Sequence, residues 1–216
     1  MNPHFIFNAL TNIQTSILKK EHMKAVGYLS RFSKLVRNIL ESSSQSSVPL
    51  TSDIGAIIDY LELQKIRYET RLNYTITIDE SIESDMVFVP PMLFQPLVEN
   101  AIEHGVNSVE NGIISIRFTD FNTYVKCEVT DNGVGYNTTK QFKSSVKKSL
   151  STQIIKSRLA ILSKKLKQHL EFKIEDISSE NQTGTLATLD IPLIQKEDVL
   201  HSLKNLRFDS SLKAPK

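Results

Sequence analysis

Two short stretches of the sequence carry side chains that could do chemistry, and the first is PLVENAIEHG, residues 96–105. The acid Glu99, the amide Asn100 and the imidazole His104 stand close together in a pattern that predicts a helix. An Asn carbonyl is a hard oxygen ligand that Mg²⁺ accepts together with water and phosphate oxygens. Glu99 could orient a water or a nucleophile, and His104 could contact a phosphate. The spacing fits equally well a helix end whose polar residues face solvent.

The second stretch is YVKCEVTDNGVGY, residues 124–136. On a strand, alternate residues from Val125 to Asp131 share one face, and the first three of these four suit a core. Asp131 is then a carboxylate at the mouth of an apolar slot, and Gly133 and Gly135 let the backbone approach a ligand closely. Taken alone, Asp-Asn-Gly more often marks a plain tight turn after a strand.

A long basic segment follows the second stretch. Residues 132–170 contain no acid, and a loop of that sign suits an anionic ligand such as a triphosphate. The alternative is a solvated basic helix face, which accounts for the last three lysines better than for those in the loop. The nine basic residues are Lys140, Lys143, Lys147, Lys148, Lys156, Arg158, Lys164, Lys165 and Lys167.

Composition and missing motifs exclude several other functions. With 40% hydrophobic and 23% charged residues the chain is typical of globular proteins, and a net charge of +2 favours neither nucleic acid nor membrane as a partner. The single cysteine excludes an intrachain disulfide and indicates a reducing compartment, so we expect a cytoplasmic location. The sequence lacks a GxxxxGK[ST] phosphate loop, the Ser/Thr kinase signature set and a Cys/His zinc cluster. MNPHFIFNAL runs straight into a helical pattern, so we expect a piece of a longer protein.

Three helices are predicted between residue 2 and about residue 72. The apolar residues of the first two recur at steps of three and four, which predicts a coiled-coil seam in an antiparallel hairpin turning at residues 19–21. A lone hairpin buries one face of each helix, so the seam favours pairing with a second copy into a four-helix bundle. Its residues are Ile6, Leu10, Ile13 and Ile17 in the first helix and Ala25, Leu29, Phe32, Val36 and Ile39 in the second.

The Ser-rich stretch 41–50 predicts an exposed linker, after which Thr51, Ser52 or Asp53 caps the third helix. From about residue 73, strand-like segments alternate with helices around 91–104 and about 150–168, and two strand pairs look like hairpins. This order predicts an α+β sandwich. The tail from residue 195 is polar and Lys-rich.

Taken together, these segments resemble one family. In order, NPHFIFNAL, RNIL, LELQKIRYETRL, VPPMLFQPLVENAIEHG, DNGVGY, KSLSTQIIKSRLAIL and GTLATLDIPL are similar to bacterial sensor histidine kinases of the LytS/YehU type. The resemblance implies a helical dimerization and phosphoacceptor segment over 1–50, a GHKL-type ATP-binding catalytic domain over 51–194 with a connecting helix at 51–72, and a tail over 195–216. It also implies a homodimer, a response-regulator receiver domain as partner, and contact with the membrane only through a sensor region absent from this chain.

The resemblance also assigns roles to single residues. His4 would be the phosphoacceptor with Asn8 beside it, although Asn2 and Pro3 equally explain this stretch as a helix start. With ATP and Mg²⁺ as cofactors, Asn100 would hold the metal and Glu99 would assist phosphoryl transfer to His4 and onward to the aspartate of a response regulator. The residues implied at the nucleotide are His104, Asp131, Gly133, Gly135, Lys147, Lys148, Arg158 and Thr185.

The expected ATP lid departs from the family pattern. Many members carry a Gly-x-Gly-Leu segment there, whereas this chain has KKSLSTQ and no glycine between Tyr136 and Gly184. A lid without glycine is stiffer, so we expect Lys147 and Lys148 to replace backbone contacts to phosphate. Catalysis should suffer more than binding, and a noncatalytic nucleotide-binding dimer that acts as a scaffold stays open as the alternative.

Overall fold

Three helices lead into a five-stranded sheet. In the computed structural model, α1 spans Pro3–Leu18, α2 spans His22–Ser43 and α3 spans Leu50–Tyr68. The structure describes residues 3–45, 47–137, 156–157, 159–160, 163, 171–180 and 182–192. The predicted helix at about 150–168 and the tail from residue 195 therefore lie mostly or wholly outside the described residues.

Helices α1 and α2 form the predicted antiparallel hairpin. Ala9 and Ile13 of α1 are buried together with Tyr28 and Leu35 of α2. Within a single chain the predicted seam is only partly buried, because Leu10, Ile17 and Leu29 are each about half exposed. The large apolar side chains exposed on the two helices are Ile6, Phe7, Leu10, Ile17, Leu18, Met23, Val26, Leu29 and Leu40.

Ion pairs join the hairpin to α3. The Lys34 Nζ lies 2.9 Å from Asp59 Oδ1, and Asn38 Nδ2 donates to Asp59 Oδ2 at 3.2 Å. One turn further along, Arg31 lies 3.6 Å from the Glu62 carboxylate. Charged and polar side chains thus link α3 to α2 at the surface, and buried residues of both helices belong to the same apolar core.

The Ser-rich stretch is shorter as a linker than the sequence predicts. Helix α2 continues to Ser43, and Val48–Pro49 forms a short strand, β1, that pairs antiparallel with β3 at Phe88–Val89. Val48 and Leu50 are buried, so the prediction of an exposed linker over 41–50 is wrong for its last residues. The physical reason is that these two apolar side chains gain more from the core than from solvent.

Asp53 does not cap α3, since that helix already begins at Leu50. Its carboxylate is only 3% exposed and accepts from the backbone N–H of Met92 at 2.5 Å and of Phe94 at 3.4 Å. Met92 has a positive φ of 55°, in the left-handed region that most side chains avoid. The carboxylate therefore holds the loop before the next helix, which begins at Gln95 rather than near residue 91.

The sheet has the order β2-β4-β5-β7-β6, with β2 parallel to β4 and the other pairs antiparallel. Both predicted hairpin pairs are present, as β4 with β5 and β6 with β7, and the predicted α+β class is confirmed. The core lies between one face of the sheet and two helices, α3 and α4, of which α4 spans Gln95–Asn100. The strand bounds are β2 Leu72–Ile78, β4 Gly112–Asp120, β5 Tyr124–Asp131, β6 Phe172–Asp176 and β7 Thr185–Pro192.

In the described part of the chain, we find no helix that combines the length and the apolarity of a membrane span.

Replacing Asp53 by alanine should lower the free energy of unfolding by about 2 kcal/mol, because buried N–H groups would lose a charged acceptor. Urea denaturation followed by circular dichroism measures the change. Ser52→Ala, at the exposed neighbouring position of the same turn, should change it by less than about 0.5 kcal/mol. Equal effects of the two substitutions would contradict the role given to Asp53.

Candidate functional site

The helix that carries Glu99 and Asn100 changes its winding directly after them. Helix α4 spans Gln95–Asn100, a π-helical turn follows at Ala101–Gly105, and a 3₁₀ turn closes the segment at Val106–Ser108. The wider turn replaces the regular α-helix that the sequence predicts up to about residue 104, and π-turns are frequent at functional sites. The side chain of His104 is outside the described part of the structure, so its predicted phosphate contact stays a prediction.

Glu99 points inward and does not face solvent. It is 7% exposed, and its Oε1 accepts from Gln95 Nε2 at 2.9 Å. Burial raises the pKa of Glu99, the charge of Glu103 raises it further, and the hydrogen bond from Gln95 acts in the opposite direction. The alternative of a helix end with all its polar residues in solvent is therefore wrong for Glu99. A carboxylate with a raised pKa is suited to accept a proton near neutral pH.

Asp131 ends β5 as a buried carboxylate. The strand alternates as predicted, with Val125, Cys127 and Val129 in the core and Asp131 5% exposed on the same face. Its Oδ1 accepts from the Gly133 N–H at 2.9 Å. Burial raises the pKa of Asp131 to about 6, although backbone N–H groups of Gly133 and Thr185 lower it. The site thus holds a desolvated acceptor, directly across the ladder from Thr185.

Close backbone packing explains the glycines around this carboxylate. A Cβ on Gly105 would overlap the Asp131 carboxyl group, and a Cβ on Gly133 would overlap the Gly105 backbone. A Cβ on Gly184 would overlap the carbonyl oxygen of Asp131. The segment that carries Glu99 therefore meets the Asp131 turn in direct contact at Gly105.

Gly135 has a different role from Gly133. Its φ is +83°, and a Cβ there would press on the Ser178 hydroxyl and the Asp176 carboxylate. The Asp176 carboxylate also accepts from the backbone N–H groups of Ser178 at 2.9 Å and of Asn137 at 2.6 Å. Gly135 lets the chain turn tightly against the β6 end, beside the Asp131 turn.

Sequence reasoning missed Gly105 and Gln95. The final glycine of the EHG sequence was the available signal for Gly105, since a glycine next to a polar helix end permits close approach. Gln95 gave no signal, because its contact with Glu99 follows only from an observed helix that begins there.

The structure brings some of the predicted site residues together and leaves others untested. Glu99 and Asn100 belong to one segment and Asp131 and Gly133 to another, and the two are in direct contact through Gly105. Thr185 lies on β7, opposite Asp131. His4 lies in the first turn of α1, but its side chain is outside the description, and Asn8 is half-buried one turn later. The predicted residues wholly outside the described part are Lys147, Lys148 and Arg158.

The described residues fit a metal ion that takes most of its ligands from water and from the phosphate oxygens of the nucleotide. Within those residues, no three His, Cys, Asp or Glu side chains gather into a metal cluster. Asn100 is half-buried at the border of the site, and Mg²⁺ is commonly held by one or two protein oxygens with water and phosphate oxygens.

Comparison with known proteins agrees with the sequence resemblance. Residues 1–72 match a family model described as histidine kinase. The chain is 34% identical over 137 residues to the sensor protein LytS of Oceanobacillus iheyensis, an alignment that covers 63% of this chain and 23% of that protein. It is 33% identical over 144 residues to the sensor histidine kinase/phosphatase LytS of Staphylococcus aureus, with 65% and 24% covered.

The chain thus spans about a quarter of the length of the curated relatives it matches. Its fold is similar to the histidine kinase domain of the blue-light activated histidine kinase of Erythrobacter litoralis EL346, with a TM-score of 0.54, 16% identity and 92% of each chain covered. The predicted resemblance to LytS-type kinases and the predicted fold are confirmed.

The raised pKa of Asp131 should make wild-type stability fall as pH rises. The Asp131 carboxyl has a pKa of about 6 in the folded state and 3.8 in the unfolded state. Its contribution to the free energy of unfolding is therefore fully present below pH 3.8 and is lost above about pH 6. From pH 5 to pH 7.5, the free energy of unfolding of Asp131→Asn should rise by about 1.5 kcal/mol relative to that of the wild type. Denaturant titrations at both pH values measure this gain, and a pH-independent difference would contradict the burial of a titrating carboxyl.

Proposed function

Because this chain resembles LytS-type sensor histidine kinases in sequence and a histidine kinase domain in fold, we propose that it is the core of an ATP-dependent protein histidine kinase. The observation that carries the proposal is the packing of Gly105 against the Asp131 carboxyl. That contact places a buried proton acceptor, Glu99, and a buried pocket carboxylate on two touching segments. One segment serves phosphoryl transfer and the other serves nucleotide recognition.

Asp131 recognises the base. Its carboxylate lies in apolar surroundings, where a hydrogen bond from the adenine amino group is worth more than in water. Gly133 keeps one oxygen of the carboxylate fixed, and the absence of a side chain at this glycine and at Gly105 brings backbone close to the pocket. Thr185 borders the same pocket from β7. When bound, Mg²⁺ neutralises charge on the phosphates, and Asn100 is the described side chain that would hold it.

The proton acceptor comes from outside the phosphoacceptor helix. Helix α1 contains no Asp or Glu, so no carboxylate of α1 can assist His4. In the proposed step an imidazole nitrogen of His4 attacks the γ-phosphorus, the bond to the bridging oxygen breaks, and ADP leaves with that electron pair. Glu99, with its raised pKa, accepts the imidazole proton. The reaction needs in-line positioning more than a strong base.

Phosphorylated His4 then passes its phosphoryl group to an aspartate of a response-regulator receiver domain. In the proposed organisation, residues 1–50 form the dimerization and phosphoacceptor segment, and residues 51–194 form the ATP domain with 51–72 as its connecting helix. A sensor region outside this chain would provide the membrane attachment, while this part works in the cytoplasm. Lys147, Lys148 and Arg158 are proposed to contact the phosphates.

His4→Gln should abolish labelling of the protein by γ-labelled ATP, because glutamine keeps polarity and reach but lacks the nucleophile. ATP affinity, measured with a fluorescent nucleotide, should stay as in the wild type. The label on the wild-type protein should be labile in acid and stable in base, as expected of a phosphoramidate. Acid-stable label, or label retained by His4→Gln, would contradict His4 as the acceptor, and a wild-type protein that takes no label would favour the noncatalytic scaffold.

We propose a homodimer through the exposed apolar face of the hairpin. Leu29 is about half exposed on α2, whereas Phe32 packs partly against the core of its own chain. Leu29→Glu should therefore halve the mass measured by light scattering, and Ser30→Glu, at an exposed polar position beside it, should leave it unchanged. A wild-type mass near 24.5 kDa at micromolar concentration would contradict the dimer.

A further inference from the structure

Gln95 is a buried amide that uses only one of its two polar ends. It is 3% exposed at the first position of α4, and its Nε2 donates to Glu99 Oε1 one helical turn later at 2.9 Å. Its own Oε1 is buried and accepts no hydrogen bond from the described residues. An amide oxygen buried in this way costs stability, which an apolar side chain of the same size would avoid.

Stability therefore does not explain an amide at this position, whereas its contact with Glu99 does. A free carboxylate side chain rotates about its terminal bond, and a donor on one oxygen fixes the plane of the group. The bond from Gln95 to Oε1 therefore fixes the plane of the Glu99 carboxylate. The base of α4 is itself fixed, because Asp53 binds the backbone of Met92 and Phe94.

We propose that Gln95 is a positioning residue for Glu99, whose carboxylate plane it fixes for phosphoryl transfer. This inference rests on the proposed function, and Gln95 acts on the same site through its hydrogen bond to Glu99. Among the described residues, Glu103, from the π-helical turn, and Tyr60, from α3, also face Glu99. The hydrogen bond that reaches Glu99 Oε1 comes from Gln95.

Gln64 offers a matched control. It is also buried, at 4% exposed, and its Oε1 likewise accepts no hydrogen bond from the described residues. Its amide group binds the Tyr60 hydroxyl instead of a carboxylate. A methionine at either position removes one buried amide and keeps the volume, so the two changes differ in the partner that is lost, a carboxylate for Gln95 and a hydroxyl for Gln64.

The test measures autophosphorylation rates of Gln95→Met and Gln64→Met with γ-labelled ATP, together with the thermal midpoint of each protein. Gln95→Met should lower kcat by about tenfold or more and leave the KM for ATP within about twofold, since a bond to a charged group is lost away from the nucleotide. Gln64→Met should leave both constants within about twofold. Equal kcat values for the two variants would overturn the proposal.

A double-variant cycle separates positioning from a general structural effect. In a Glu99→Gln background, Gln95→Met should cause no further loss of kcat, because the group that it positions is already changed. A loss as large as in the wild-type background would overturn the proposal. If Gln95→Met does not keep the native circular dichroism spectrum, Gln95→Leu, which also lacks the donor, replaces it with the same expected outcomes. A wild-type protein that takes no label overturns the proposed function, and this inference with it.

Discussion

The approach of the Gly105 backbone to the Asp131 carboxyl is the constraint on which the site depends. It brings the end of a helical segment and the end of a central strand within contact, and no side chain larger than hydrogen fits between them. Gly133 and Gly184 extend the same requirement to the two neighbouring turns. Because the Gly105 segment packs against the carboxyl group of Asp131 and the Gly184 segment against its backbone carbonyl, a shift of either segment changes the shape of the site.

This arrangement places function and stability in opposition. Asp131 and Glu99 are carboxylates that burial disfavours in their charged form, and neither is neutralised by a described ion pair. An apolar core would be more stable without them. Sites that bind a polar ligand accept such a cost when the ligand supplies the missing partners, and the pattern fits a pocket built for a donor group.

The sequence predicted those features that local periodicity determines. Alternation in β5 placed Asp131 on the core face, and the steps of three and four gave the α1–α2 hairpin. It could not show contacts between distant segments, such as that of Asp53 with Met92, which are 39 residues apart. The π-helical turn was also hidden, since Leu97 and Ala101 fit an ordinary α-helix equally well.

The ion pairs between α2 and α3 have a consequence for how the hairpin and the sheet domain hold together. Lys34 and Arg31 are largely in solvent, and exposed pairs of this kind contribute between about 0 and 1 kcal/mol each. Salt weakens these pairs only modestly, because their charges lie 2.9 and 3.6 Å apart, well inside the screening length of roughly 10 Å at 0.1 M salt. The buried residues Tyr28 and Leu35 of the hairpin belong to the same apolar core as the buried residues of α3. The attachment of the hairpin to α3 therefore depends on apolar packing that ionic strength does not screen.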